Sequence, residues 1–297
     1  MGDRPAPAAA AAPVTGRAWL ADATGRLREA GVGNAAQEAR WLVQDAAGVD
    51  AAGLAAGLDT PLPADREARL RTMLDRRLAG EPLQYVLGRW AFRRLDLAVD
   101  RRVLIPRPET EAMAALALDE CDRVGARRVA DLGTGSGALA LALAVERPRL
   151  EVWATDVSPD ALAVAEANRD AHPAAVPGVR FAVGSWWDAL PGDLAGRLDV
   201  VVANPPYVAE AEVADLPAEV RDWEPRVALV AGPDGLEDVA EIVAAAPRWL
   251  ARPGTLLVEM APHQVRRAVR MAEHAGFPSV TVWPDLAGRD RIVQARR

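Results

Sequence analysis

A chain of 297 residues with 51% apolar side chains is long enough for a large core, and its length predicts a main domain plus a small one. Its net charge of −7 argues against a protein that tracks a phosphate backbone, and the single cysteine, Cys121, excludes an internal disulfide. His172, His263 and His274 are scattered without zinc-ligand spacing, so the composition predicts a reducing cytoplasm and no metal.

In chain order, the Ala/Pro tract Pro5 to Pro13 lacks the basic and apolar blocks of a signal peptide and predicts a disordered tail over residues 1–16. No apolar run approaches the roughly 18 residues of a membrane span. From residue 17 to 80 the apolar positions fall at helical spacing: Trp19 and Leu27, then Ala39, Leu42, Val43 and Ala46, then Leu70, Met73, Leu74 and Leu78. Breaks at Gly31-Val32-Gly33, Gly48 and Pro61-Leu62-Pro63 divide this segment into a small helical domain. Residues 81–108 predict a linking β-hairpin, with Leu95, Leu97 and Val99 alternating against polar neighbours. Here Arg89, Arg93, Arg94, Arg101, Arg102 and Arg107 form the one locally basic stretch. Pro108 then closes the hairpin and Thr110 is placed to cap a helix over 111–123.

Over 109–297 strands alternate with helices: strands at 129–132, 152–155, 179–183, 200–203 and 255–260, with helices from Ala138 and Pro159, at 236–250 and at 264–275. Such alternation predicts an α/β, doubly wound, Rossmann-like parallel sheet. The short runs 280–283 and 291–294 predict a hairpin at one sheet edge.

Two turns in that sheet carry chemistry. The first is Asp131-Leu132-Gly133-Thr134-Gly135-Ser136-Gly137, which joins a strand to a helix through glycines that let backbone approach a ligand closely. Its Gly-x-Gly-x-Gly spacing is one residue short of a dinucleotide fingerprint, and it suits a nucleoside without a pyrophosphate, such as S-adenosyl-L-methionine. Asp156 ends the next strand 19 residues past Gly137, where a carboxylate can accept both ribose hydroxyls. After the third strand come Trp186 and Trp187, either of which could stack on a purine.

The second turn is Asn204-Pro205-Pro206-Tyr207, at the end of the strand Leu198 to Ala203. An amide or exocyclic amine is a poor nucleophile because its lone pair is delocalised. An Asn carboxamide oxygen can accept one N–H and the Pro205 carbonyl the other, while the prolines stiffen the backbone and Tyr207 offers a flat wall. Together the two turns predict methyl transfer to a planar nitrogen, with Asn204, Pro205 and Tyr207 as catalytic groups and Asn204 to Tyr207 as the substrate grip.

With these motifs the chain resembles the bacterial peptide chain release factor N5-glutamine methyltransferases. The resemblance runs through Gly80-Glu81-Pro82-Leu83-Gln84-Tyr85, Ile105-Pro106-Arg107-Pro108-Glu109-Thr110-Glu111, the glycine loop, the Asn-Pro-Pro-Tyr run, Glu219 to Pro225 and Asp285 to Arg291. It implies a class I methyltransferase domain that uses S-adenosyl-L-methionine, bound by Gly133, Thr134, Gly135, Ser136, Gly137, Asp156, Trp186 and Asn204. It implies as substrate the glutamine of the Gly-Gly-Gln motif in release factors, docked partly by the helical domain. Adenine-N6 or other exocyclic-amine methylation of nucleic acid is the alternative, since it poses the same lone-pair problem, although base extraction and phosphate contact fit an acidic chain less well. The chain departs from the family at Ser185, where an acid usually accepts from the adenine amine, and at Met260-Ala261-Pro262-His263, which replaces a Glu-Ile-Gly turn.

Overall fold

The computed structural model describes residues 14–173 and 176–297. The expected tail lies outside the described residues up to residue 13. Thr15, inside the range expected to be tail, pairs with Pro61 in an isolated bridge, and its hydroxyl accepts from the Ala18 N–H to cap the first helix. Two compact units divide the chain, one ending at Leu87 and the other running from Gly88 to Arg297.

The first unit is helical: α1 (Gly16–Glu29), α2 (Ala35–Ala47), α3 (Ala51–Ala56), α4 (Ala64–Leu78) and α5 (Leu83–Leu87). Its core gathers Trp19, Leu27, Leu42, Val43, Leu70 and Leu74, the residues whose spacing predicted the helices. Gly48 ends α2 in the left-handed conformation at φ +64, which costs a residue without a Cβ little. Arg77 of α4 donates to Glu38 of α2 at 2.6 Å, a pair almost excluded from solvent.

The second unit opens with an antiparallel hairpin, β1 (Arg89–Phe92) and β2 (Leu95–Ala98), whose Phe92, Leu95 and Leu97 point into the core. Residues 83–87, expected as part of this hairpin, are helical instead. Then follow α6 (Pro108–Val124), β3 (Arg128–Leu132), α7 (Ala138–Glu146), β4 (Glu151–Asp156), α8 (Pro159–Ala171), β5 (Val179–Val183) and β6 (Leu198–Ala203). The chain finishes with α9 (Ala218–Trp223), α10 (Glu237–Trp249), β7 (Leu250–Glu259), α11 (Val265–His274), β8 (Ser279–Pro284) and β9 (Asp290–Arg296).

Seven strands form one sheet in the order β5-β4-β3-β6-β7-β9-β8, parallel through β7 and antiparallel at β9 and β8. The expected terminal hairpin is present, with β9 inserted beside β7 and β8 left at the edge. Along β6, Val200 and Val202 join the core under α6 and α7, while Val201 and Ala203 join the core under α10 and α11. Burial on both faces explains the unbroken apolar run that marked this strand. Strand order reverses between β3 and β6, so the loops leaving their carboxyl ends part and open a crevice there. Among the described residues no helix is long and apolar enough to cross a membrane.

Candidate active site

The crevice holds a cavity of about 370 Å³, lined by the turns after β3, β4, β5 and β6 and covered by residues 102–110 and 225–230. Gly133 to Ser136, Asp156, Trp186, Asn204 and Pro206 all lie on it; Gly137, Pro205 and Tyr207 do not.

Backbone hydrogen bonds fix the glycine turn. The Gly133 and Thr134 N–H groups both donate to the Thr155 carbonyl, at 2.9 and 2.8 Å. Gly135 donates to Asp156 Oδ2 and Ser158 donates to Asp156 Oδ1, each at 2.9 Å, so the carboxylate ties two loops together and keeps further lone pairs for a ligand. Burial raises the Asp156 pKa, against these backbone donors. Gly133 stands at φ +75, and a Cβ there would come within 3.0 Å of the Trp186 ring. Gly137 starts α7 and packs on Leu141 and Ala165, so it shapes the turn from behind the cavity. Asn168 of α8, which no motif pointed to, donates to the Ser136 carbonyl at 2.9 Å and bonds both backbone groups of Ala98.

Asp131 lies beneath this turn, 1% exposed. Its Oδ2 accepts from Thr134 Oγ1 at 2.6 Å and from the Ala140 N–H at 3.1 Å, while Oδ1 has no partner. Burial pushes its pKa up to about 7, against those two donors and with help from the charge of Asp156.

The two tryptophans separate. Trp187 is buried and stacks on Trp249 with ring centroids 5.8 Å apart, a core contact. Trp186 faces the cavity at φ +39, an uncommon backbone conformation for a bulky residue, and such strain concentrates at functional positions. Asp238, at the start of α10, also lines the cavity, and burial raises its pKa, against the nearby Trp186 side chain. Ser185 lines the cavity beside Trp186.

At the end of β6, Asn204 Nδ2 donates to Thr110 Oγ1 at 3.2 Å, and Asn204 Oδ1 is buried without a partner. Thr110 is therefore not the helix cap expected of it. Pro108 begins α6 at the first helical position, Arg107 stands at the cap without a side-chain bond, and Thr110 is turned inward, 5% exposed. Tyr207 lies outside the cavity wall. Arg291 of β9 donates to its hydroxyl at 3.1 Å and stands 5.3 Å from its ring centre, and burial raises the phenol pKa. Gln264 Nε2 donates to the Tyr207 carbonyl at 2.7 Å and to the Gly235 carbonyl at 3.0 Å. The turn Met260 to His263 thus leads into a side chain that pins the Asn-Pro-Pro-Tyr backbone.

Two further carboxylates stand behind the cavity. Glu224, fully covered, accepts from Arg107 at 2.6 Å, and Arg101 stacks over Trp223 at 4.0 Å, which together hold residues 101–107 against the turn after α9. Glu259, at the end of β7, is 0% exposed, and burial raises its pKa to about 7, against the hydroxyl of Thr110 and the charge of Arg291.

A seven-stranded doubly wound sheet with a glycine turn, a strand-end acid and this cavity at its switch point defines a class I methyltransferase. The fold is shared by the crystal structure of the hMettl16 catalytic domain in complex with MAT2A 3'UTR hairpin 6, with a TM-score of 0.56 and 16% identity over 77% of this chain and 81% of that one. Residues 18–88 match the family described as PrmC N-terminal domain, and residues 111–219 match the Methyltransferase small domain. The release factor glutamine methyltransferase of Cereibacter sphaeroides is 41% identical, covering 93% of this chain and 96% of its own length. That of Deinococcus radiodurans is 40% identical, covering 95% and 98%. The chain belongs to the release factor glutamine methyltransferase family.

Proposed function

We propose that this protein transfers a methyl group from S-adenosylmethionine to the side-chain amide nitrogen of the glutamine in the Gly-Gly-Gln motif of peptide chain release factors. The observation that carries this reading is the buried, unpartnered Oδ1 of Asn204, an acceptor held beside the cavity with nothing to accept from. A primary amide supplies the missing N–H.

The cavity suits the methyl donor. Asp131, Asp156 and Asp238 put three carboxyls on its lining, against Arg102 and Arg107, for a sulfonium and an ammonium to meet; Asp131 Oδ1 is a spare acceptor, and space opposite Gly135 is open. In this reading Gly133, Thr134, Gly135, Ser136, Asp156, Trp186 and Asn204 hold the donor directly, with Gly137 shaping their turn. Asp156 takes the ribose hydroxyls and Trp186 the purine face. S-adenosylmethionine supplies a methyl on a positively charged sulfur, which leaves as a neutral thioether.

The protein's part is orientation and electrostatics. Asn204 Oδ1 accepts one N–H of the glutamine amide, which turns the nitrogen toward the cavity that Asn204 lines. Pro205 and Pro206 restrict the backbone that follows Asn204, and Gln264 restrains the Tyr207 carbonyl beyond it. Once alkylated, the amide nitrogen is strongly acidic and gives its proton to water, so no general base is required. The helical unit and the arginines of the hairpin add contacts to the folded release factor, because glutamine alone carries too little information for selection. Release factors place the reaction in the cytoplasm.

The test incubates the purified protein with methyl-tritiated S-adenosylmethionine and either release factor or single-stranded oligonucleotide. Label is expected in the release factor. Label in the oligonucleotide, or in neither, contradicts the reading.

A further inference from the structure

Gln264 stands just before α11, 2% exposed and outside the cavity wall, and both ends of its carboxamide meet backbone. Its Nε2 donates to the Tyr207 carbonyl at 2.7 Å and to the Gly235 carbonyl at 3.0 Å, while its Oε1 accepts from the Ala261 N–H at 3.2 Å. These partners fix which end of the carboxamide is which. Carbonyls only accept and a backbone N–H only donates, so a half-turn of the side chain would lose all three bonds.

Three segments meet at this side chain: the end of the Asn-Pro-Pro-Tyr turn, the turn before α10 and the turn before α11. They are in close contact. Gly235 stands at φ +68, and a Cβ on it would come 2.5 Å from the Tyr207 carbonyl oxygen and 2.8 Å from Gln264 Nε2. At its near end the substrate turn is held by β6, where Ala203 is in register with Leu132 and Val258. At its far end the Tyr207 and Val208 N–H groups donate to the Leu229 carbonyl, at 3.2 and 2.9 Å, but Leu229 belongs to the segment that covers the cavity. Gln264 instead leads into α11, whose Val265 and Ala268 are buried in the sheet's core, so it ties the backbone at the far end of the turn to that core. Only Pro205 and Pro206, whose rings fix φ, separate the held residue from Asn204, so a shift at Tyr207 is carried to Asn204 through few soft torsions. We infer that Gln264 is a positioning residue for methyl transfer, which sets where Asn204 Oδ1 meets the substrate amide. This rests on the role given above to Asn204.

The experiment measures kcat and KM for release factor, together with the S-adenosylmethionine Kd, in the full chain. Gln264→Met keeps the length of the side chain and removes its hydrogen bonds. It is expected to lower kcat about 10- to 100-fold, the cost of a misplaced reacting group, with KM and the cofactor Kd little changed. Gly235→Ala presses on the same carbonyl from the other side and is expected to give the same pattern. Because Gln264 acts through Asn204, adding Gln264→Met to Asn204→Ala should slow turnover by less than about 3-fold more. Wild-type kcat in Gln264→Met or in Gly235→Ala overturns the inference. So does a double variant whose two losses simply multiply, and so does a matching loss of cofactor affinity, which would mean general loosening of the fold. If the wild-type protein leaves release factor unmethylated, the role of Asn204 falls first and that of Gln264 with it, whereas an active wild type beside an equally active Gln264→Met removes Gln264 alone.

Discussion

Asp156 ends β4 and Asn204 follows β6, on either side of β3, yet they differ in what their removal should cost. Asn204→Ala removes an acceptor realised fully in the transition state, so turnover should fall by the equivalent of about 2 to 4 kcal/mol while cofactor binding falls less. Near wild-type methylation by that variant would contradict the role. Asp156→Ala removes a charged acceptor and also frees the Gly135 and Ser158 N–H groups, so the main loss should be cofactor affinity. One lost charged hydrogen bond of about 1.5 to 3 kcal/mol corresponds to a roughly 10- to 100-fold weaker Kd, which calorimetry would read directly. An unchanged Kd would move the ribose site elsewhere. Residues of this kind are legible in sequence because each stands in a short motif at a strand end. Glu259, Asp238 and Gln264 are not, because strands and helices far apart in the chain bring them together and none has a local signature, while Thr110 and Arg291 stand in runs of the family resemblance that do not reveal what they touch. Thr110 even carries the misleading signal of a helix cap, although Pro108 starts the helix three residues before the expected Glu111.

At the scale of elements, one carboxylate ties α6 to the carboxyl-terminal strands. Glu120 accepts from Arg296 of β9 at 2.7 Å, from Arg123 at 2.8 Å and from Thr255 of β7 at 2.7 Å. Burial alone would raise its pKa, but those donors outweigh it and hold the group at about 2, below its ordinary 4.5. A carboxylate with a depressed folded-state pKa contributes stability that is present above the unfolded value and is lost as pH falls toward the folded one. Glu120→Gln should therefore be less stable than the wild type at neutral pH, and the gap should narrow between pH of about 4.5 and about 2. Urea unfolding across that range is the check, and a constant gap would contradict the linkage. The strands were legible because burial on both faces leaves unbroken runs of Val, Leu and Ala, as in β6. Where the run is interrupted the reading slips: Pro253 and Gly254 hide the first half of β7, and the five residues of α5 are too few to show a helical period.

Over the whole chain, each unit has its own buried core: residues such as Leu27, Leu42 and Leu74 in the first, and Met113, Leu141 and Val201 in the second. A variant beginning at Gly88 should therefore keep most cofactor affinity. It should lose kcat/KM for whole release factor while a Gly-Gly-Gln peptide is affected little. Equal efficiency on whole release factor would leave the helical unit without a docking role. The most direct test of the central claim is tandem mass spectrometry of release factor treated with this protein and S-adenosylmethionine. The account predicts one added methyl on the side-chain amide of the Gly-Gly-Gln glutamine, formed far more slowly with Asn204→Ala. A methyl found on any other residue, or an unmodified glutamine after incubation with active, cofactor-binding protein, would contradict it.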